Sequence, residues 1–240
     1  MLLNPAFEDL AQAMRVLLEA NWRAHSDGLL FVDRAEAVGN IETGVNAVVN
    51  ALHSLSDAMQ KQLPESPSWY DIPETAVLLA VRNARHHNKA NKIRNLYNVH
   101  VQETDDPAEM RDYIVVDFPA EEEGADTFDV YLSWADLDEF LSLPSRESHI
   151  RAPAVQSVRA YLDADQFRRH AQQYEMPLGR VFFNLVPLIV NAMIKLTPFF
   201  DGHINPKSSE ARTFSTLFRY VLPASTKMHD VKQIRIFLPN

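Results

Sequence analysis

The chain has 240 residues, with 23 Lys and Arg against 32 Asp and Glu, 6 Gly, 14 Pro and no Cys. That length fits one large domain or two small ones at about 100–200 residues each, and an apolar share of 46% supplies a real core, which excludes a disordered chain. The lack of Cys excludes a disulfide framework, zinc ribbons, thiolate chemistry and iron–sulfur clusters.

The amino end has no basic run and reaches Glu8 early, so it does not read as a secretory signal and a cytoplasmic protein is expected. Residues 5–24 place Phe7, Leu10, Met14, Leu17 and Leu18 on one face, which predicts an amphipathic helix ended by Ser26, Asp27 and Gly28. Residues 29–33 read as a short strand or a lead-in turn. Over 41–63, Val45, Val48, Val49, Leu52, Leu55 and Met59 recur at helical spacing, closed by Pro64 and Pro67. Pro73 and Glu74 suit the first turn of a third helix, predicted to run unbroken to about Tyr97.

Two β-prone runs follow, 113–118 and 128–134, on either side of an acidic connection containing Gly124, and predict a hairpin with a long loop. A short helix over 135–143 and a linker over 144–153 come next, then helices over 154–174, 178–196 and 208–220. The stretch 181–200 is apolar enough to suggest a membrane span. However, Asn184, Asn191 and Lys195 fall on one helical stripe, so the expectation is a buried helix with a polar seam and no membrane. Residues 233–238 alternate and predict an edge strand. The fold class is therefore mainly α, a helical bundle with a small antiparallel β element of hairpin plus C-terminal strand. Its expected parts are 1–105, a bundle segment; 106–145, the hairpin and short helix; and 146–240, a helical segment that completes the bundle and ends in the strand.

Neither a dinucleotide-binding glycine turn nor a phosphate loop, a nucleophile elbow or a zinc-protease motif is present, so no cofactor is expected. The informative stretch lies between Glu74 and Glu103, where 28 residues contain no acid but hold Arg82, Arg85, Lys89, Lys92 and Arg94 with His86, His87 and His100. Removing this +5 segment from a net charge of −9 leaves the remainder at −14. Such a stripe is either a solvated face paired with acids elsewhere or a footprint for a polyanion. On a helix Arg82 and His86 are i, i+4 neighbours, as are Asn83 and His87 on the adjoining row. Cation, amide and two imidazoles are the parts needed to cleave RNA without metal. A base takes the 2′-hydroxyl proton, an acid protonates the leaving oxygen, and a cation holds the phosphorane.

Arg82-Asn83-x-x-x-His87 resembles the arginine–polar–x3–histidine signature of the HEPN superfamily, small all-α ribonucleases and toxins of prokaryotic immunity. Arg94 to His100 fits a looser form of it, and Lys89 stands where one toxin subgroup carries a tyrosine. The resemblance implies a helical bundle that dimerises and sets two copies of the motif across a cleft as one endoribonuclease site. It also implies a toxin or antiviral defence setting, with an inhibitory partner protein. Under it Arg82, Asn83 and His87 are catalytic, and Arg85, His86, Lys89, Lys92 and Arg94 position RNA. The alternative is a non-catalytic helical module that binds RNA or a protein through residues 82–94; a third reading pairs the stripe with acids of the same fold. Asp201 and His203 with Asp105 and Asp106 are too scattered in sequence to predict a metal site. Glu121, Glu122 and Glu123 read as a solvated loop or a cover for the basic helix.

Overall fold

Asp33 opens the longest helix by accepting a hydrogen bond from the Glu36 amide at 2.9 Å, which satisfies an amide that a helix start leaves free. The computed structural model describes residues 2–104, 106, 109–120 and 128–238. Helices α1 (Leu3–His25) and α3 (Arg34–Gln62) pack along one another, joined by α2 (Leu29–Val32), a single helical turn and not a strand, at the run expected as a strand or lead-in turn. A Cβ at Gly44 would lie 2.9 Å from Leu17 Cδ1 and 3.0 Å from Leu17 Cα, so a glycine is what lets α3 approach α1 here.

Helix α4 (Pro73–His86) is buried at every position from Thr75 to Val81 and packs against α3 and the later helices. A helix apolar all round belongs in the centre of a bundle. It does not run on to Tyr97. Asn88, Ala90, Asn91, Lys92 and Ile93 all have positive φ, and a 3₁₀ turn at Ala90–Lys92 leads into α5 (Leu96–Glu103), capped by Asn95. Asparagine tolerates the left-handed region better than most residues, which favours the break where Asn88 and Asn91 stand.

Strands β1 (Arg111–Asp117) and β2 (Tyr131–Ser133) form where the β-prone runs lie, but they do not form a hairpin. After β2 the chain makes α6 (Trp134–Ser142), α7 (Ser145–Ser148) within the expected linker, α8 (Ala152–Tyr161) and α9 (Ala164–Gln173). Asp163, at φ 49°, separates α8 from α9. The run expected as one helix over 178–196 is then divided. Val181–Asn184 is β3, and α10 (Val186–Phe200) begins beside Pro187, where a proline is tolerated at a helix start. Helix α11 (Ser209–Tyr220) and β4 (Asp230–Ile236) complete the order.

The sheet order is β2-β3-β1-β4, with β3 parallel to β1 and the other two pairings antiparallel. Tyr113 to Val116 are buried on both faces of β1, and Val181 to Asn184 likewise in β3. Strands apolar on both faces belong inside a sheet, so these two pair and the three-residue β2 is left at the edge. The C-terminal strand lies along the full length of β1, as the alternation predicts. One face of the sheet meets the main core, where Trp134 stacks on Phe167 with ring centroids 3.9 Å apart. A smaller cluster of Leu96, Val99, Tyr113, Val115 and Phe182 lies beneath α5. The mainly α fold with a small β element thus holds, and no described helix is long and apolar enough to cross a membrane. The acidic loop Glu121, Glu122 and Glu123 lies outside the described residues.

Candidate functional site: an imidazole and arginine cluster

The last turn of α4 carries the motif, so its two ends have different surroundings. Asn83 is 2% exposed and donates from Nδ2 to the Ser148 carbonyl at 3.3 Å, tying α4 to the end of α7. Arg82 is half-buried; its Nη1 donates to Asn83 Oδ1 at 3.3 Å, while its buried Nε has no partner among the described residues. His86 and His87 are exposed. His149 follows α7 at φ 57°, and its ring lies 4.4 Å from that of His87 at 34°; the His86 and His87 rings meet edge-on at 4.9 Å.

Loss of solvent, then the positive charges of His149, His86, Arg82 and Lys89, hold His87 below its ordinary value of 6.5. Neutral at pH 7, His87 is able to accept a proton. His53 of α3 joins the same field. Burial and the charge of Arg82 lower its pKa, against the pull of Asp57 with an oxygen 3.7 Å away. Arg82 itself meets no carboxylate within ion-pair distance among the described residues.

Two of the five expected RNA-positioning residues are spent on the fold, and a third is paired. Arg85 is buried and donates to Glu42 at 2.5 Å, Asn46 at 3.1 Å and the Ile93 carbonyl at 2.9 Å, so it locks the left-handed loop to α3 and does not face solvent. Arg94 grips the buried Asp136 carboxylate through Nε at 2.9 Å and Nη2 at 3.0 Å and also reaches Glu103, so it is likewise withdrawn from an RNA-facing role. Asn91 and the Arg94 amide donate to the same carboxylate. Lys89 pairs with Glu147 at 3.1 Å in a half-exposed position, and Lys92 is exposed. His100 is buried against the Tyr113 hydroxyl at 2.9 Å, which removes the looser copy of the motif from the surface.

Sequence reasoning missed His149 and His53. No spacing connects His149 to His87; the connection is the Asn83 to Ser148 hydrogen bond, which only the folded chain makes. Beside His149 a cavity of 690 Å³ is lined by Tyr70, Asp71, Arg151 and Ser157 among others. Among the described residues no three His, Asp or Glu side chains converge as metal ligands, Asp201 is paired with Arg219, and Asp105 lies outside the described residues. No protein-family model, curated protein or solved structure matches the chain.

Proposed function

We propose that the protein is a metal-independent endoribonuclease of the HEPN kind, with Arg82, His87 and His149 as its catalytic residues. The observation that carries this reading is the His87 and His149 pair at the surface, its rings 4.4 Å apart and tilted, next to a guanidinium with no acid partner among the described residues. Neutral His87 takes the 2′-hydroxyl proton as the 2′-oxygen attacks phosphorus. His149 in its protonated form gives a proton to the departing 5′-oxygen, and Arg82 neutralises the charge that builds on the phosphorane. Bond making and breaking balance, leaving a 2′,3′-cyclic phosphate and a 5′-hydroxyl. Asn83 acts as a positioning residue, since its amide is spent on Ser148 and Arg82. His86 and Lys92 supply charge for the backbone, and Tyr70 and Arg151 in the adjoining cavity suit a base and a phosphate. A second copy of the chain completes the site under this reading, and the setting is cytoplasmic toxin or defence biology with an inhibitory partner.

A non-catalytic module on 82–94 is the weaker reading, because Arg85 and Arg94 are turned inward. The deciding experiment incubates end-labelled RNA with the protein in chelator and analyses the new ends. Cleavage with cyclic phosphate ends is expected. Arg82→Ala, His87→Ala and His149→Ala should each lower the rate about 100-fold or more while leaving most RNA binding. Binding without cleavage by the unaltered protein overturns the enzyme and leaves the module. Sedimentation with and without RNA tests the homodimer.

A further inference from the structure

A hollow of 490 Å³ opens where the end of α1 meets the start of α5 and the approach to β2. Its wall includes Trp22 and His25 from α1, Asn95 and Tyr97 from the head of α5, and Asp129 and Tyr131. The volume is in the range of about 300–1,000 Å³ usual for small-molecule sites.

The described wall has one source of charge. Among the described residues no Lys or Arg lines it, and Asp129 is the one carboxylate that does. Burial holds His25 below its ordinary value against the pull of Asp129, so the imidazole is neutral at pH 7. Burial and Asp129 push the Tyr97 and Tyr131 phenols well above theirs, so both stay protonated. Asp129 is met by neutral donors, Tyr131 Oη at 3.2 Å and Asn184 Nδ2 at 2.7 Å, and has no ion pair among the described residues.

The wall is also rich in aromatic rings. Trp22 is 60% exposed, whereas Trp69 and Trp134 are buried at 1% and 2%. Tyr97 carries the His25 ring at 5.6 Å and accepts or donates at its Nε2 across 3.2 Å. A third feature is a spare donor. Asn95 is 2% exposed and uses Oδ1 to cap α5 at the Asn98 amide, leaving its Nδ2 with no partner among the described residues.

We propose that this hollow binds a small organic cation, an alkylated ammonium whose head lies among Trp22, Tyr97 and Tyr131 beside Asp129, with an oxygen acceptor on its body directed to Asn95. Aromatic faces attract cations, most strongly alkylated ones that shed water readily, and the carboxylate supplies the balancing charge. The same carboxylate disfavours phosphate, so the site is separate from the imidazole cluster and does not rest on the ribonuclease reading.

Trp22 provides the test, being the exposed indole of the three. The full chain is titrated with choline and with benzyltrimethylammonium while its fluorescence is followed, with benzoate and benzyl alcohol as controls and calorimetry as a second readout. The proposal expects saturable quenching by both cations with a Kd of about 1 mM or tighter, and no saturation by the controls. It expects Asp129→Asn, a substitution at an exposed position, to weaken cation binding about tenfold, with the emission of buried Trp69 and Trp134 reporting that the fold is kept. Three results overturn it: controls that bind as tightly as the cations, an Asp129→Asn protein that binds cations unchanged, or no saturation by either cation in fluorescence and heat.

Discussion

His149 holds φ 57° and ψ 24°, a conformation that costs a residue with a Cβ about 1–2 kcal/mol. The neighbouring fold sustains it through the Ser145 carbonyl, which accepts from the His149 amide at 2.9 Å, and the Asn83 contact one residue earlier. Strain of this kind gathers where a side chain must be aimed, here at the His87 ring. His149→Gly should therefore leave the chain as stable or up to about 1 kcal/mol more stable in urea unfolding, while RNA cleavage is lost. A destabilised variant would show that the imidazole serves packing. Arg85 is the converse, a cation that the sequence presents as available and the fold has used. Arg85→Met leaves Glu42 without its cation and the Ile93 carbonyl without its donor, and should cost about 3 kcal/mol in urea unfolding. RNA cleavage by the folded fraction should persist, since this side chain points away from solvent.

At the scale of elements, the left-handed loop from Asn88 to Ile93 sets where the cluster stands by ending α4. Its residues bear unequal consequences. Ala90→Gly relieves a strained φ of 44° and removes one methyl group, so its effect on stability should fall within about 1 kcal/mol of zero. Ile93→Gly relieves similar strain but empties a fully buried position, and should be net destabilising by about 2 kcal/mol or more. Thermal unfolding of the pair distinguishes them. The helices were legible in the sequence because Val45, Val48, Leu52 and Leu55 repeat at the period of the burial they enter. The loop was legible only in part: Asn88 and Asn91 tolerate its left-handed turns, but the contacts that fix it are tertiary. Asp136 of α6 holds Asn91, and Glu42 of α3 anchors Arg85, which in turn holds the Ile93 carbonyl; nothing in the local run of residues announces Asp136 or Glu42. The hairpin failed as an expectation for a related reason. Adjacency in sequence favours β1 with β2, but Phe182 and Phe183 need burial on both sides and take the place between them. Of the candidate site, Arg82, His86 and His87 could be picked out from spacing, whereas His149 could not.

Over the whole molecule, acid is the condition to which the fold is most exposed. His25, His53, His87, His170 and His229 all have pKa values lowered in the folded state, each with burial as the largest cause. The unfolded chain, with ordinary histidines near 6.5, takes up protons first as the pH falls. Their contribution is therefore intact above about pH 6.5 and is lost progressively below it, levelling once the folded-state values have been passed. The urea midpoint should fall between pH 7 and pH 5; an unchanged midpoint would mean that these imidazoles titrate normally. His170 and His229 share a 3.0 Å contact beside Phe167, so a second imidazolium there meets a like charge.

The inner strand β1 has on one side a neighbour, β3, separated from it in sequence by β2 and the helices α6 to α9, and on the other the last strand of the sequence. A ladder assembled from such distant pieces has a time cost. Loops must close before any of its bonds forms, whereas α1, α2 and α3 find one another locally. On that ground the smallest part of the structure is expected to be the last to form, in the order its strands impose.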